Sequence, residues 1–412
     1  MTSQPRVALF GETFHEVNGA ALTARQLVEF AKRRERPFLT VLPGARQVQY
    51  QDGSVTHVEL PRSWASFGIE RDLRYDLFLW RHRSVVQRVL EKFQPDVIHI
   101  FSPGEFGQLG AYLARSLRIP LVASWHTNLH QFTARRLRKL LAFVPARYLD
   151  RLSDWAERAA LLLILRFYRI ARVTLAPTPD QVRWLERATG HPSFLMPRGV
   201  DCEQFHPNRR TVRDGIFRLG YVGRVTPEKN VRLLADIERA LLTAGHGNFS
   251  IIVVGDGSER SWLERNLQHG VFTGILRGPL LAEAYANIDL FVFPSHTDTY
   301  GNVVQEAAAS GVPAIVTADG GPQHLVTPGV TGFVAKDDRT FVEMLLQAIA
   351  QPERLRAMGA AARQAMLNAS WDNAIEMIYS AYRFCHETPA SHASLAGGPP
   401  LVSYILQRFD RS

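Results

Sequence analysis

The chain has 412 residues, of which 46% are hydrophobic and 21% charged, so it is long enough for about two large domains with separate cores. Its two cysteines, Cys202 and Cys385, lie far apart, which excludes a disulfide-stapled scaffold and a cysteine zinc site. The formal charge of +9 favours anionic partners such as a membrane surface or an acidic substrate.

The amino-terminal sequence MTSQPRVALFGE runs into an apolar strand without the basic and long apolar regions of a secretory signal. The longest apolar stretch, at 159–176, is interrupted by Arg166, Arg169 and Arg172. A membrane-spanning helix of roughly 20 apolar residues would not carry three such charges. The sequence therefore predicts a cytoplasmic protein without a transmembrane helix.

Short apolar runs alternate with segments of helical period along most of the chain, the pattern of parallel sheets covered by helices. In the first half, helices are predicted at 19–32 and 75–93. The second half repeats the pattern after 196–210, an aperiodic stretch with two prolines that we interpret as the domain boundary. The predicted strands are 7–10, 38–42, 97–101, 121–124 and 173–176, then 219–222, 250–254, 289–293 and 314–317.

These elements predict an α/β protein with two domains, 1–195 and 196–370. Parallel α/β sheets bind ligands at the carboxyl ends of their strands, so function is expected in the strand-to-helix loops. An amphipathic helix at 371–387 is expected to pack back on the first domain. The tail at 388–412 is rich in small residues, Pro and Gly, and a mobile segment is expected there.

Residues 134–172 include ten basic and only three acidic residues. Leu, Phe, Tyr and Trp are interleaved with them, as in helices that lie on an anionic membrane, where each basic residue contributes about 1 kcal/mol. A solvated helix face would carry the same charge, and both interpretations remain open. Nucleic acid is not expected, because no nucleic-acid module accompanies the charge. The basic helical insertion at 133–172 contains Arg135, Arg136, Arg138, Lys139, Arg147, Arg151, Arg158, Arg166, Arg169 and Arg172.

The segment PSHTDTYGNVVQEAAASG, at 294–311, joins a buried strand to a helix that ends at a glycine. A helix N-terminus offers unpaired backbone donors and positive potential, which suit a diphosphate. Asp298 lies in the loop and Glu306 in the helix, so one carboxylate can accept from sugar hydroxyls and the other from ribose hydroxyls. For the pair taken alone, a helix cap and a surface residue explain the pattern equally well.

A second loop, GYVGRVTPEKN at 220–230, follows the first predicted strand of the second domain. It places Arg224 and Lys229 after Gly223, and two cations on one loop can hold a diphosphate. The sequence GDG at 255–257 looks like a dinucleotide fingerprint, but Arg260 occupies the third glycine position and no acid ends the next strand. A dehydrogenase is therefore not expected.

Two loops of the first domain also follow predicted strands. ETFHEVNGAALTARQL, at 12–27, places Asn18 and Gly19 before a helix, where glycine permits close approach of the backbone to a phosphate or an acceptor. SWHTNLHQF, at 124–132, places His126 at the end of a strand and His130 four residues later. A lone histidine is more often structural.

Together these loops resemble the signature of the family 4 (group 1) glycosyltransferases, in which an acid, seven residues and a Glu lie within PSxTxTxGxVxxEAxASGxP. The resemblance extends over about 7–382. It implies the GT-B architecture, two Rossmann-like doubly wound domains facing across a cleft, and sugar transfer from a nucleotide sugar with retention of anomeric configuration. Asp298 stands where the family usually has Glu, Gln305 stands at a usually aliphatic position, and Ala20 and Ala21 replace a common Gly-Val.

The resemblance also implies roles for individual residues. His126 matches an SxHT pattern in which the imidazole contacts the transferring sugar, and Arg224 and Lys229 stabilise the departing diphosphate. Asp298 completes the catalytic set, and Asn18 and His130 are assigned to the acceptor side. No metal or cofactor is expected, since the two cations can neutralise the diphosphate. The implied donor-binding residues are Gly19, Gly223, Arg224, Lys229, Asp298, Thr299, Tyr300, Gly301, Asn302, Val303 and Glu306.

Among its relatives, the sequence is most similar to enzymes that transfer mannose from GDP-mannose, or sulfoquinovose or glucose from UDP-sugars, to lipid acceptors. GDP-mannose is favoured, with a lipid or glycan acceptor. A lipid acceptor would explain the basic insertion, because the enzyme would lie peripherally on the inner face of the membrane. Two other classes remain open: a nucleotide-sugar-binding protein without turnover, and a GT-B epimerase, for which no set of acid/base residues is identified.

Overall fold

The computed structural model describes residues 4–16, 19–70, 73–126 and 146–388. The chain divides into two compact units, the first formed by Met1–Pro197 with Ile375–Ser412 and the second by Arg198–Ala374. Several residues singled out in the sequence lie outside the described ranges, as does the tail at 389–412. These are Asn18, His130, Arg135, Arg136, Arg138 and Lys139.

The first unit is built on an eight-stranded sheet with the order β10-β9-β8-β7-β1-β2-β4-β3. All neighbouring strands are parallel except the antiparallel edge pair of β3 and β4. The central strands are buried apolar runs, as expected for a sheet covered on both faces. The strands are β1 (Val7–Phe10), β2 (Phe38–Gly44), β3 (Val48–Asp52), β4 (Val55–Pro61), β7 (Val97–Ile100), β8 (Leu121–Ser124), β9 (Val173–Ala176) and β10 (Ser193–Leu195).

The helices of this unit in the described ranges follow the predicted alternation, with one correction. The helix predicted at 75–93 is replaced by a hairpin strand, a 3₁₀ turn at Leu79–His82 and a helix that begins only at Arg83. The buried carboxylate of Asp76 accepts from the backbone nitrogens of Ser63 and Phe78, which fixes a turn there instead of a helix. The elements are the hairpin β5 (Ser66–Glu70) and β6 (Leu73–Asp76), and the helices α1 (Gly19–Arg33), α2 (Arg83–Phe93), α3 (Glu105–Ser116), α4 (Ala146–Tyr168) and α5 (Pro179–Thr189).

The second unit has a six-stranded parallel sheet with the order β13-β12-β11-β14-β15-β16. Its core includes Tyr221, Phe291 and Phe293 from adjacent strands. The strands are β11 (Phe217–Val222), β12 (Phe249–Val254), β13 (Gly270–Gly274), β14 (Leu290–Phe293), β15 (Ala314–Thr317) and β16 (Gly332–Ala335). The helices are α6 (Leu233–Thr243), α7 (Arg260–Asn266), α8 (Gly278–Ala286), α9 (Asn302–Ala309), α10 (Asp338–Ile349) and α11 (Pro352–Met366).

Each sheet has one point where the strand order reverses. In the first unit the chain builds outward from β1 through β2 and returns to the other side of β1 with β7; in the second it does so from β11 to β14. The loops that leave the carboxyl ends of the two strands at such a point diverge and leave a crevice, where ligands of open α/β sheets bind. The topology therefore directs attention to the loops after β1 and β7 and after β11 and β14.

The last helix, α12 (Trp371–Glu387), begins in the second unit and continues into the first. From Ile375 onward it packs within the first unit, burying Ile378, Tyr379 and Tyr382. The Tyr382 hydroxyl lies 2.7 Å from Nδ1 of His99, and the Arg36 guanidinium lies over the Tyr379 ring at 4.2 Å. None of the described helices is long and apolar enough to cross a membrane.

Candidate functional site

Glycines shape the loop that follows β11. Gly223 has a φ of +151°, and a Cβ on Gly255 would lie 1.9 Å from the Gly223 carbonyl oxygen. A Cβ on Gly257 would lie 2.2 Å from the Val225 oxygen. The GDG sequence thus serves close packing between the loops after β11 and β12, where side chains would not fit.

The two cations of this loop occupy different environments. Arg224 is exposed, and its only described ion pair, with Glu228, is long at 3.6 Å. Lys229 ends a short 3₁₀ turn and is largely buried. Its Nζ donates to both carboxylate oxygens of Asp298, at 2.6 and 2.7 Å. Lys229 comes from the β11 loop and Asp298 from the β14 loop, so this ion pair spans the switch point of the second sheet.

Neighbouring loops hold the Asp298 segment from both sides. Thr297 Oγ1 donates to the Glu228 carbonyl oxygen at 3.2 Å, and the backbone nitrogen of Gly321 donates to the Asp298 carbonyl at 2.7 Å. Cβ atoms on Gly320 and Gly321 would lie 2.3 and 2.1 Å from the carbonyl oxygens of Asp298 and Thr299. The glycine pair after β15, which the sequence analysis did not single out, is therefore needed for this loop to lie where it does.

Tyr300, one of the predicted donor-binding residues, uses its side chain for contacts within the second unit. The Tyr300 ring is buried, and its hydroxyl accepts from the Arg198 nitrogen at 3.2 Å and lies 3.3 Å from the Arg198 oxygen. Gln305 is also buried, and its Nε2 donates to the same oxygen at 3.1 Å. The polar residue at this usually aliphatic position thus holds the first residue of the second unit, together with Tyr300.

Helix α9 begins immediately after this loop. Gly301 precedes it with a φ of +98°, and Asn302 and Val303, both partly exposed, form its first turn. The first turn of a helix carries unsatisfied N–H groups and positive potential. The first turn of α9 and the cations of the β11 loop therefore favour an anionic group at the switch point of the second sheet.

Glu306 lies one turn further along α9. It is partly exposed, and its Oε2 accepts from the Tyr285 hydroxyl at 2.7 Å. Burial raises the pKa of Glu306 to about 7, against the opposing effect of the Tyr285 hydrogen bond. The carboxyl is therefore partly protonated at neutral pH, and one of its oxygens is already engaged.

His296, on the same loop as Asp298, links three elements. Its Nδ1 lies 2.7 Å from Asp319 and its Nε2 3.0 Å from Asp338, which also accepts from Asn230 Nδ2. Burial would lower the pKa of His296, but the two carboxylates outweigh burial and raise it. The carboxylates bind opposite sides of the ring and do not converge, and no described group of His, Cys, Asp or Glu is placed to hold a metal ion.

In the first unit, His126 follows β8 and is buried, with its ring centroid 4.4 Å from that of Phe101. Gly19 is the first residue of α1, and its carbonyl accepts from Thr23 Oγ1 at 2.9 Å. The two predicted acceptor-side residues, Asn18 and His130, fall outside the described ranges.

The switch point of the first sheet holds two buried carboxyl groups that the sequence analysis missed. Glu12 follows β1 and accepts from Ser102 Oγ at 2.6 Å and from the Gly107 nitrogen at 3.0 Å. Glu105 Oε1 pairs with Arg62 Nε at 3.3 Å, and Glu105 Oε2 is buried with no hydrogen-bond partner among the described residues. Burial and the nearby Glu12 raise the pKa of Glu105 to about 7. The available signal was that each acid follows a predicted strand, 7–10 or 97–101, at the carboxyl end where function was expected.

Comparison with known proteins places this geometry in a family. Residues 17–204 match the family described as Glycosyltransferase Family 4, and residues 216–351 match Glycosyl transferases group 1. The chain is 32% identical over 381 residues to a GDP-mannose-dependent alpha-mannosyltransferase of Mycobacterium tuberculosis, a match covering 89% of this chain and 93% of the relative.

A sulfoquinovosyl transferase of Arabidopsis thaliana is 31% identical over 305 residues, which is 68% of this chain and 55% of the relative. Among solved structures, sucrose-phosphate synthase from Thermosynechococcus elongatus superposes with a TM-score of 0.69 at 18% identity, covering 92% of this chain and 99% of that one. That likeness concerns the fold, and the curated relatives identify the family. The chain therefore belongs to the family 4 glycosyltransferases and is a hexosyltransferase of GT-B fold.

Proposed function

We propose that the protein transfers a hexose from a nucleotide sugar, with GDP-mannose as the favoured donor, to a lipid or glycan acceptor with retention of anomeric configuration. The observation that carries this proposal is the Lys229–Asp298 ion pair across the switch point of the second sheet, beside the exposed Arg224. The choice of GDP-mannose is supported by the name of the mannosyltransferase relative, which matches along 89% of this chain.

In this proposal the donor diphosphate takes the place of Asp298 as the partner of Lys229 and also pairs with Arg224. Exchange of one anion for another keeps the ammonium group paired, and it releases the Asp298 carboxylate to accept from hydroxyls of the sugar. Guanidinium and ammonium groups then neutralise the charge that develops on the leaving diphosphate, so no metal is assigned to the reaction.

The remaining donor contacts are assigned to backbone groups and to one carboxyl. Gly223, Gly301 and the first turn of α9, with Thr299, Asn302 and Val303, offer N–H groups to the diphosphate. Glu306 is assigned to the ribose hydroxyls through the oxygen that Tyr285 does not bind. In the first unit, His126 is assigned to the sugar and Gly19 to a close backbone approach.

The chemical step is a front-face displacement at the anomeric carbon. The bond between that carbon and the diphosphate oxygen breaks, and the bond to the acceptor oxygen forms on the same face. The proton of the acceptor hydroxyl passes to the departing diphosphate oxygen, so the step needs no separate base. Positioning and electrostatic stabilisation supply most of the acceleration.

A lipid acceptor is supported by the exposed surface of α4. Trp155, Leu162 and Leu163 are exposed on this helix, as are Arg158 and Arg166. A helix that presents aromatic and aliphatic side chains beside arginines suits the interface of an anionic membrane. Salt-sensitive binding to anionic vesicles is expected, and it should weaken when Arg135, Arg136, Arg138 and Lys139 are neutralised. Vesicle binding that ignores these charges would favour a water-soluble glycan acceptor.

An alternative donor is a UDP-sugar, as in a glucosyl- or sulfoquinovosyltransferase. This alternative is favoured by the sulfoquinovosyl transferase relative, although that match is shorter than the match to the mannosyltransferase.

The decisive experiment follows release of nucleoside diphosphate when the pure protein is incubated with GDP-mannose, UDP-glucose or UDP-sulfoquinovose and a lipid extract. Arg224→Ala and Lys229→Ala should each lower turnover by about 10²–10³-fold. Arg239→Ala, which removes an exposed arginine from α6, is the matched control and should have no effect. Intact turnover in both loop variants would refute the assignment of the donor site.

A further inference from the structure

Four large apolar side chains are exposed on the short segment between β4 and α2. Trp64 is 92% exposed, and Phe67, Leu77 and Phe78 are each about half exposed. The rings of Trp64 and Phe78 lie side by side, 6.4 Å apart, and those of Phe67 and Tyr75 lie 6.0 Å apart. Single exposed apolar residues are normal on protein surfaces, but several large ones on one short segment indicate an interaction site. We call these four residues the aromatic ledge.

Hydrogen bonds to Asp76 fix the backbone beneath the aromatic ledge. Asp76 is buried and accepts from the Ser63 nitrogen at 2.6 Å, Ser63 Oγ at 2.5 Å and the Phe78 nitrogen at 2.9 Å. Arg81 adds a hydrogen bond to Asp76 at 3.1 Å and another to the Pro61 oxygen at 2.5 Å. Burial opposes ionisation of Asp76, but these donors outweigh it and lower its pKa to about 2. One ionised carboxylate therefore ties both ends of the segment and keeps Trp64 and Phe78 at the surface.

The charge around the ledge is positive. Between residues 62 and 83 the sequence contains five arginines and three acids. Asp76 pairs with Arg81 inside the segment, so this ion pair adds no net charge and the segment keeps an excess of two arginines over acids. Tryptophan and arginine together are typical of protein surfaces at the interface of an anionic bilayer, where the ring lies at head-group level and the cation pairs with phosphate.

The ledge lies at the functional edge of the first sheet. It follows the carboxyl end of β4, which runs parallel to β2, and β2 runs parallel to β1. Arg62 reaches Glu105 at 3.3 Å, and the Tyr75 hydroxyl donates to Gln108 at 3.1 Å. The segment that carries the ledge thus contacts α3, the helix that follows β7, at the switch point of the first unit.

We propose that the aromatic ledge inserts into the head-group region of an anionic bilayer and holds the switch point of the first unit at the lipid surface. The proposal rests on the lipid acceptor of the proposed function and adds a site of contact separate from α4. A protein partner is less well matched, because four side chains exposing about 500 Å² fall short of the ~800 Å² per partner of a stable protein interface.

The test uses the full chain and vesicles of phosphatidylcholine with phosphatidylglycerol, with binding measured by co-sedimentation. The double variant Trp64→Ser/Phe78→Ser should bind at least tenfold more weakly than the unmodified protein. The matched control is Leu280→Ser/Val330→Ser, which removes two exposed apolar side chains from the second unit and should leave vesicle binding unchanged. Thermal melting of both variants verifies that they are folded.

High salt separates the contribution of apolar side chains to vesicle binding from that of exposed arginines. At about 1 M salt the Debye length is about 3 Å, so the contribution of exposed arginines should be lost while apolar insertion persists. Residual vesicle binding at high salt then comes from the apolar side chains of the ledge and of α4, and it should fall at least tenfold in Trp64→Ser/Phe78→Ser. Vesicle binding equal to that of the unmodified protein would overturn the proposal. A dimer that dissociates in the double variant would also overturn it, because the ledge would then bind a second copy.

Failure of this proposal is distinguishable from failure of the proposed function. Release of nucleoside diphosphate with a water-soluble short-chain acceptor does not require a bilayer, and it should be unchanged in Trp64→Ser/Phe78→Ser. Loss of vesicle binding with intact transfer to the soluble acceptor is the expected result. Absence of transfer with every donor would refute the proposed function while leaving the vesicle measurement interpretable.

Discussion

At the scale of single residues, Lys229 and Asp298 form a largely buried ion pair in which each side chain compensates the charge of the other. Removing one member leaves the other poorly solvated, so Lys229→Ala should lower the free energy of unfolding by about 1–3 kcal/mol. Lys229→Ala combined with Asp298→Asn should regain most of that stability, because no charge is left unpaired. Donor turnover should remain low in both variants. Denaturant unfolding and nucleoside diphosphate release measure the two effects separately, and recovered turnover in the double variant would contradict the assigned roles.

A carboxyl pKa raised by burial makes stability depend on pH. The folded pKa of Glu105 is about 7 against a usual value of 4.5, so between these pH values the folded state binds more protons than the unfolded state. Stability from this group is therefore present below pH 4.5 and is lost as pH rises through 7. The full loss is about 3 kcal/mol. Glu105→Gln should lose less stability than the unmodified protein between pH 5 and pH 8, and Glu306→Gln, which removes the second such carboxyl, should behave similarly. Parallel stability profiles for the protein and Glu105→Gln would show that Glu105 is not protonated in the fold.

The sequence indicates candidate donor-site residues but not the partners of their side chains. Arg224, Lys229 and Asp298 follow predicted strands, but the direct Lys229–Asp298 bond depends on the side-chain packing of two loops. The contact of the Tyr300 side chain was not predicted, for a similar reason. Its hydroxyl is held by the backbone of Arg198, about a hundred positions earlier in the chain, and no local pattern reports such a contact.

At the scale of elements, His296 joins the β14 loop to the segments that follow β15 and β16. The histidine contacts Asp319, Asp338 and Asn230. The two carboxylates raise its pKa and so favour an imidazolium that donates one hydrogen bond to each of them. We call His296 with Asp319 and Asp338 the clamp. Its two ion pairs are complete below pH 6.5 and are lost as pH rises through the higher folded pKa of His296. We expect the KM for the donor to rise several-fold between pH 6 and pH 8, with a smaller change in kcat. This pH dependence should be absent from His296→Ala, which should show the weaker affinity throughout. A profile unchanged in His296→Ala would exclude the clamp.

Local pattern predicted the buried strands well and the exposed ones poorly. Strands at 7–10, 121–124, 173–176 and 314–317 have the predicted bounds, since each is a short apolar run buried on both faces. Strand β3 contains a single aliphatic residue and is largely exposed, so its apolar period is absent. The helix predicted at 75–93 failed because the helical period beginning near Tyr75 is overridden by the hydrogen bonds to Asp76, which come from both sides of the turn.

At the scale of the whole molecule, the chain passes from the first unit to the second and returns through α12. The alternation of apolar runs and helical periods is sufficient to predict two α/β units, because each unit repeats one local rule. The pairing of distant segments is not contained in any local rule. The hydrogen bond between the side chains of His99 and Tyr382, for example, joins positions far apart in the sequence. The packing of α12 on the first unit therefore follows from the structure and not from any local sequence pattern.

Because α12 packs in the first unit, a chain shortened before Ile375 should lose the first unit and keep the second. Ending the chain after Ala374 removes Ile375, Ile378, Tyr379 and Tyr382, all buried in the first unit. Each apolar side chain of this size contributes roughly 1.5–3 kcal/mol on burial, so the total loss is on the order of the 5–15 kcal/mol that stabilises a typical domain. The first unit should then unfold, while the second retains its core. Calorimetry of the shortened chain should show only the transition of the second unit. A chain ending at Thr388 keeps every contact of α12 described above and is the control. Two transitions in the chain that ends at Ala374 would mean that the first unit is stable without the helix.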